Sequence, residues 1–273
     1  MRARGSIAPE PSGRGDGEAI VRYFVLVVFI ANLARPAAVE ADVLANLVGL
    51  TPYEARLALA AGPPSIVLVT PDRGRATDVL GVLRGRGHGA HVFDEENFVA
   101  SSSMGRVDDF RLDADGIRRN GNGELLPYGD VFAILRAVHD TSSAIERQAR
   151  AHLGESLVKT GDQLRVVSKT EEREHVAYFF RRSGEKPWIL RERHASYIGL
   201  GEDRTPVAFQ NFTRLVERVR GASPMAVFDD RLARRRVAER AGSEGQRSSS
   251  QGMDLLAHLL AMTIASQGGS PYR

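Results

Sequence analysis

Tyr23-Phe24-Val25-Leu26-Val27-Val28-Phe29-Ile30-Ala31-Asn32-Leu33-Ala34 is the strongest apolar run of the 273-residue chain. Arg22 on one side and Arg35-Pro36 on the other close it short of the about 20 apolar residues that a membrane-spanning helix needs. Its β-branched and aromatic residues (Tyr23, Val25, Val27, Val28, Phe29, Ile30) indicate a strand buried on both faces, because a half-exposed strand would alternate with polar residues. The polar leader at positions 1 to 19, rich in Gly, Pro, Ser and Arg, reads as disordered and lacks a signal-peptide pattern. Its Arg14-Gly15-Asp16 tripeptide reads as a chance match to an integrin motif.

Downstream of the strand the punctuation is clear. Pro36 opens a helix over Ala37 to Val48, with Val39, Val43, Leu44 and Leu47 as its expected buried stripe and Gly49 as its stop. Thr51, Pro52 and Glu54 make a capping-box signature for a second helix, Pro52 to Ala61, that buries Ala55, Leu57 and Leu59. Gly62-Pro63-Pro64 ends it. A second strand is expected over Ile66 to Thr70, a third helix over Asp72 to Gly85 and a third strand over Ala90 to Phe93.

The order β-α-α-β-α-β, with Gly49-Leu50-Thr51-Pro52-Tyr53-Glu54-Ala55-Arg56 at the helix junction, resembles the C-terminal domain of the ribosomal stalk protein. The ClpS-type protease adaptors share that order. The stalk resemblance implies a recognition module whose first two helices bind a protein partner through basic residues. Arg56 falls where one of them would be; the first-helix positions are Ala37, Asp42 and Ala45, and Glu40 adds an acid there. Tyr53 and Arg56 are therefore the candidate partner-binding residues, with half-buried packing as the alternative for Tyr53.

The second half is β-rich, with strands expected at Asp108 to Leu112, Gly116 to Arg119, Gly129 to His139, Glu174 to Arg182 and Trp188 to Arg193. An amphipathic helix follows over Pro206 to Arg220. Element order, together with Phe110-Arg111-Leu112-Asp113-Ala114-Asp115-Gly116-Ile117 and Leu126-Pro127-Tyr128-Gly129-Asp130-Val131, is similar to bacterial pleckstrin-homology-like domains. The expected fold class is thus α+β: a small stalk-like domain at 20–97, then a mainly antiparallel β domain with a C-terminal helix at 104–232. An inserted arm occupies 141–165, and 233–273 is a flexible tail with a short apolar helix at 253–265. That helix docks either on its own chain or in a partner groove.

Composition narrows the chemistry. With no cysteine, disulfides, thiolate zinc sites and cysteine nucleophiles are excluded, and a cytosolic location is expected. A net charge of +3 with acids interleaved among the basic residues gives no footprint for specific nucleic acid. The seven histidines show no ligand spacing, so no metal and no cofactor is expected. Arg181, Arg182, Lys186, Arg191 and Arg193, with Trp188 beside them, form a candidate anion-binding hairpin for an anionic membrane surface or a phosphopeptide. Ordinary strand surface is its plain alternative. The functional expectation is a non-enzymatic adaptor or scaffold with an unidentified protein partner. An enzyme with dispersed groups between the domains is the competing class.

Overall fold

The computed structural model describes residues 25–140, 173–235 and 249–268. The leader, the arm at 141–165 and the linker stretch 236–248 lie outside the described residues. The fold is α+β. Strand β1 (Leu26–Asn32) is followed by helices α1 (Ala37–Val48) and α2 (Pro52–Ala60), strand β2 (Ser65–Thr70), helix α3 (Arg73–Gly85) and strand β3 (Gly89–Asp94). The three strands form an antiparallel sheet in the order β2-β1-β3, with the quoted apolar run at its centre. Side chains alternate across a strand, so Leu26, Val28 and Ile30 face the three helices while Val27, Phe29 and Ala31 point the opposite way. Both sets are buried, which is why the run has no polar alternation.

The buried stripe of α1 differs from the expected one. It consists of Glu40, Ala41, Leu44 and Ala45, while Val39 is 59% exposed. A glutamate takes an interior position because its partners are interior too. Arg86 donates to both Glu40 carboxylate oxygens, at 2.8 and 3.0 Å, and His88 Nε2 lies 3.2 Å away. His88 Nδ1 accepts from the Ala34 amide, so His88 is a buried tie between β1, α1 and the loop after α3 and not a surface residue.

The remaining strands are β4 (Gly105–Arg106), β5 (Phe110–Leu112), β6 (Gly116–Arg119), β7 (Leu125–Pro127), β8 (Val131–Asp140), β9 (Arg173–Arg181), β10 (Trp188–Arg191) and β11 (Val227–Asp229). Helices α4 (Ala208–Ala222), α5 (Arg231–Arg234) and α6 (Ser249–Gly268) complete the described chain. The larger sheet runs β11-β8-β9-β10-β4: its long central pairs, β8-β9-β10, are antiparallel, and so is the meander, while the two short edge pairs, β11 with β8 and β10 with β4, are parallel. Strands of two or three residues carry no readable periodicity, and their partners lie far away in sequence.

One face of this sheet packs against α4 and the meander β5-β6-β7, through Phe110, Ile117, Leu126, Phe212, Leu215, Val216 and Val219. The other face meets α6. Phe132, Leu135, Tyr178 and Phe180 pack with Met253, Ala257, Leu260 and Ala261. Leu255 and Leu259 on another side of α6 pack with Val27, Phe29, Ala31 and Phe93 of the smaller sheet. The molecule is therefore a stack of α1–α3, the small sheet, α6, the large sheet, and α4 with the meander.

This arrangement corrects the reading of the tail. The helix is longer than 253–265, and from Met253 to Ala265 none of its residues is exposed. It docks on its own chain. A helix apolar on every side is stable in water only where neighbours cover every side, and the two sheets provide those neighbours.

Candidate functional site

The α1–α2 junction is held by local chemistry. Gly49, at φ +80°, ends α1, and the Gly49 and Leu50 amides both donate to the Ala45 carbonyl, at 2.9 and 3.0 Å. Thr51 Oγ1 accepts from the Glu54 amide at 3.2 Å and the Glu54 carboxylate accepts from the Thr51 amide at 2.8 Å, completing the capping box. The Thr51 amide and hydroxyl hold the Glu54 carboxyl below its usual value. On this rigid start Tyr53 is 68% exposed, so it is not a half-buried packing residue. Arg56 is exposed three residues on, with its Nε 3.3 Å from the Pro52 carbonyl. Residues at i and i+3 share a helix face. Of the first-helix positions, Asp42 is exposed, whereas Ala45 and Glu40 are buried.

The basic hairpin is not one surface. Arg181 is 7% exposed; its Nε donates to Asp130 at 2.6 Å and its Nη1 pairs with Glu185. Arg191 pairs with Glu174 at 2.6 Å, and Arg182 donates to the Met225 carbonyl at 2.9 Å. Arg193 is exposed, and its amide donates to Glu174 Oε1 at 3.1 Å. Lys186 is exposed at the turn, but Trp188, expected beside the cations, is 1% exposed inside the core. Arg191 lies opposite Val176, five residues along β9 from Arg181, or roughly 16 Å at strand spacing. The arrangement thus separates two carboxylate-neutralised groups. Burial raises the Glu174 carboxyl, but His194, Arg191 and the Arg193 amide outweigh it and leave the group below its usual value.

The densest polar cluster is internal and lies under α6. Asp254, fully buried, accepts from the Tyr178 hydroxyl at 2.7 Å and from the Ser101 amide at 2.8 Å, and His139 Nε2 is 3.3 Å away. His139 Nε2 also lies 2.6 Å from the Tyr178 oxygen, so the three side chains form a chain His139 to Tyr178 to Asp254. Burial opposes the Asp254 charge, yet the donors from His139, Ser101 and Tyr178 hold its carboxyl below the usual value. Burial pushes the Tyr178 hydroxyl well up. One turn on, His258 contacts the Val99 backbone, and burial lowers its pKa to about 4. The cluster is closed to solvent. It positions α6 against β8 and β9.

Nothing in local sequence pointed to Asp254, Tyr178 and His139 together. They lie on α6, β9 and β8, and only the alternation of β9 could have flagged a tyrosine hydroxyl aimed at an apolar face. No family model matches the chain, and neither does any curated protein or solved structure. Among the described residues no helix is long and apolar enough to cross a membrane.

Proposed function

We propose that this protein is a non-enzymatic interaction adaptor or scaffold whose α1–α2 hairpin is the partner-facing surface. The observation that carries this is Tyr53, an aromatic ring 68% exposed on a helix start locked by a capping box, with exposed Arg56 on the same face. Tyrosine and arginine dominate binding hot spots, and a tyrosine on a backbone already fixed by its capping box orders only its two side-chain torsions when it binds. The element order supports a stalk-like reading of the N-terminal module. The α1–α2 hairpin exposes an acid, Asp42, as well as Arg56, so it is not a uniformly basic surface made for a strongly acidic patch.

The test uses the full chain. A fragment ending near residue 100 would strip α6 from Val27, Phe29 and Phe93 and leave an apolar sheet face to aggregate. Affinity capture from the native lysate is compared between wild type and the variants Tyr53→Ala and Arg56→Glu. The expected result is a protein retained by the wild type and lost from both variants while their melting temperatures stay unchanged. If every captured protein is retained equally by both variants, the proposal fails.

A further inference from the structure

We propose that the cleft between the loop after α2 and helix α5 binds a small phosphate-bearing molecule, with Arg235, Arg231 and Arg234 holding the phosphate. The cleft has a volume of about 380 Å³ and brings Ala61 and Pro63 of the N-terminal module against Leu232 and the three arginines. Arg235 is the informative residue. It is partly buried, one of its nitrogens donates to the Pro64 carbonyl at 3.0 Å, and no carboxylate among the described residues pairs with it. A guanidinium has five N–H donors, so most of its capacity is unspent; Arg235 lines the cleft, and none of its nitrogens is both sealed from solvent and unpaired. Burial without a counter-ion pushes the Arg235 pKa down.

Three other partly or fully buried arginines, Arg86, Arg181 and Arg191, each face a carboxylate within 3 Å, and Arg136, which has none, lies over the Phe212 ring. In the cleft the only lining acid, Asp230, is spent on Arg234 at 2.6 Å, and Arg231 leans on Asp229 at 2.8 Å. Positive charge is therefore in excess by the one guanidinium of Arg235, and a phosphate, with three terminal oxygens, offers the unspent N–H donors of the cleft more acceptors than a carboxylate does. The volume suits a small molecule and not a folded partner. Ala61, Pro63 and Leu232 offer an apolar wall for the part of the ligand that carries the phosphate.

The test is isothermal titration of the full chain with inorganic phosphate and with adenosine monophosphate, each against sodium chloride at equal ionic strength. Both probes should bind saturably at one site, the nucleotide more tightly because its body meets the apolar wall. Arg235→Met should weaken both at least tenfold. A response no larger than that of chloride, or equal binding by Arg235→Met, overturns the proposal. Should Arg235→Met lose its fold, the double variant Arg231→Ala/Arg234→Ala decides. Both side chains are exposed, so the variant should fold as wild type and bind the nucleotide at least fivefold more weakly, and unchanged binding overturns the assignment. Phosphate binding with the nucleotide excluded overturns the small-molecule class. The site shares no residue with Tyr53 and Arg56, so its failure and that of the adaptor proposal are separate results.

Discussion

Replacing Asp254 by alanine should unseat α6. In the native fold the carboxylate is fully buried and takes hydrogen bonds from the Tyr178 hydroxyl at 2.7 Å and the Ser101 amide at 2.8 Å, with His139 Nε2 at 3.3 Å. Removing it strands donors that water cannot reach. Each stranded group costs about 1–3 kcal/mol, and breaking a buried, paired charge costs about 3–5 kcal/mol in total. We expect a loss of about 4 kcal/mol. At about 2–4 °C per kcal/mol for a fold of this size, the melting temperature should fall by about 8–16 °C. Thermal and urea unfolding, followed by far-UV circular dichroism and by fluorescence of the single tryptophan, Trp188, would measure it. Tyr178→Phe alone should cost about 1–2 kcal/mol, and nearly nothing once Asp254 is gone, because its acceptor has already been removed. A fall below about 2 °C for Asp254→Ala, or full additivity of the two changes, would refute the account of how α6 is held. The pH dependence has a fixed sign. A carboxyl held below its unfolded value contributes stability above about pH 4, and that contribution is lost as pH falls through the lowered value.

Other residues give further checks. The unfolded chain protonates His258 near pH 6.5 but the folded chain only near 4, so acidification through this window should remove on the order of 3 kcal/mol. His258→Leu should flatten that slope in urea titrations run from pH 7 to 4. Leu259→Ala, at a fully buried site between α6 and the small sheet, should cost about 2–5 kcal/mol by chemical denaturation. A Cβ at Gly105 would lie within 2.8 Å of three indole atoms of Trp188, so Gly105→Ala should shift the tryptophan emission and lower stability by about 1–3 kcal/mol. An unchanged emission spectrum together with unchanged stability would refute the expected clash with the indole.

Much of the N-terminal module was legible because its signals are local. Gly49, the Thr51–Glu54 box and Asp72 mark helix ends through neighbours within a few residues, and these elements begin or end within one residue of their expected limits. Burial of Glu40 was not legible because a glutamate is assigned to the surface unless its partners are known, and Arg86 and His88 lie more than 40 residues away. The candidate residues were undecided in the sequence for the same reason. The sequence left Tyr53 open between an exposed contact and half-buried packing, and only the structure exposes it; neutralisation of Arg181 and Arg191 likewise depends on Asp130 and on the packing that brings Glu174 beside β10.

The amino-acid order alone determined that the run from Tyr23 to Ala34 holds a strand needing cover on both faces, and that 253 to 265 form a helix needing cover on more than one face. Only the tertiary structure decided that these two needs are answered together, with Val27, Phe29 and Phe93 closing over Leu255 and Leu259. The reason is physical. Periodicity records how much of a side chain's surroundings must be apolar, but burial has no direction, so which surface supplies the cover is chosen by packing between segments far apart in the chain. Asp254, His139 and Tyr178 then select one seat for a helix that hydrophobic burial alone would leave free to slide or turn.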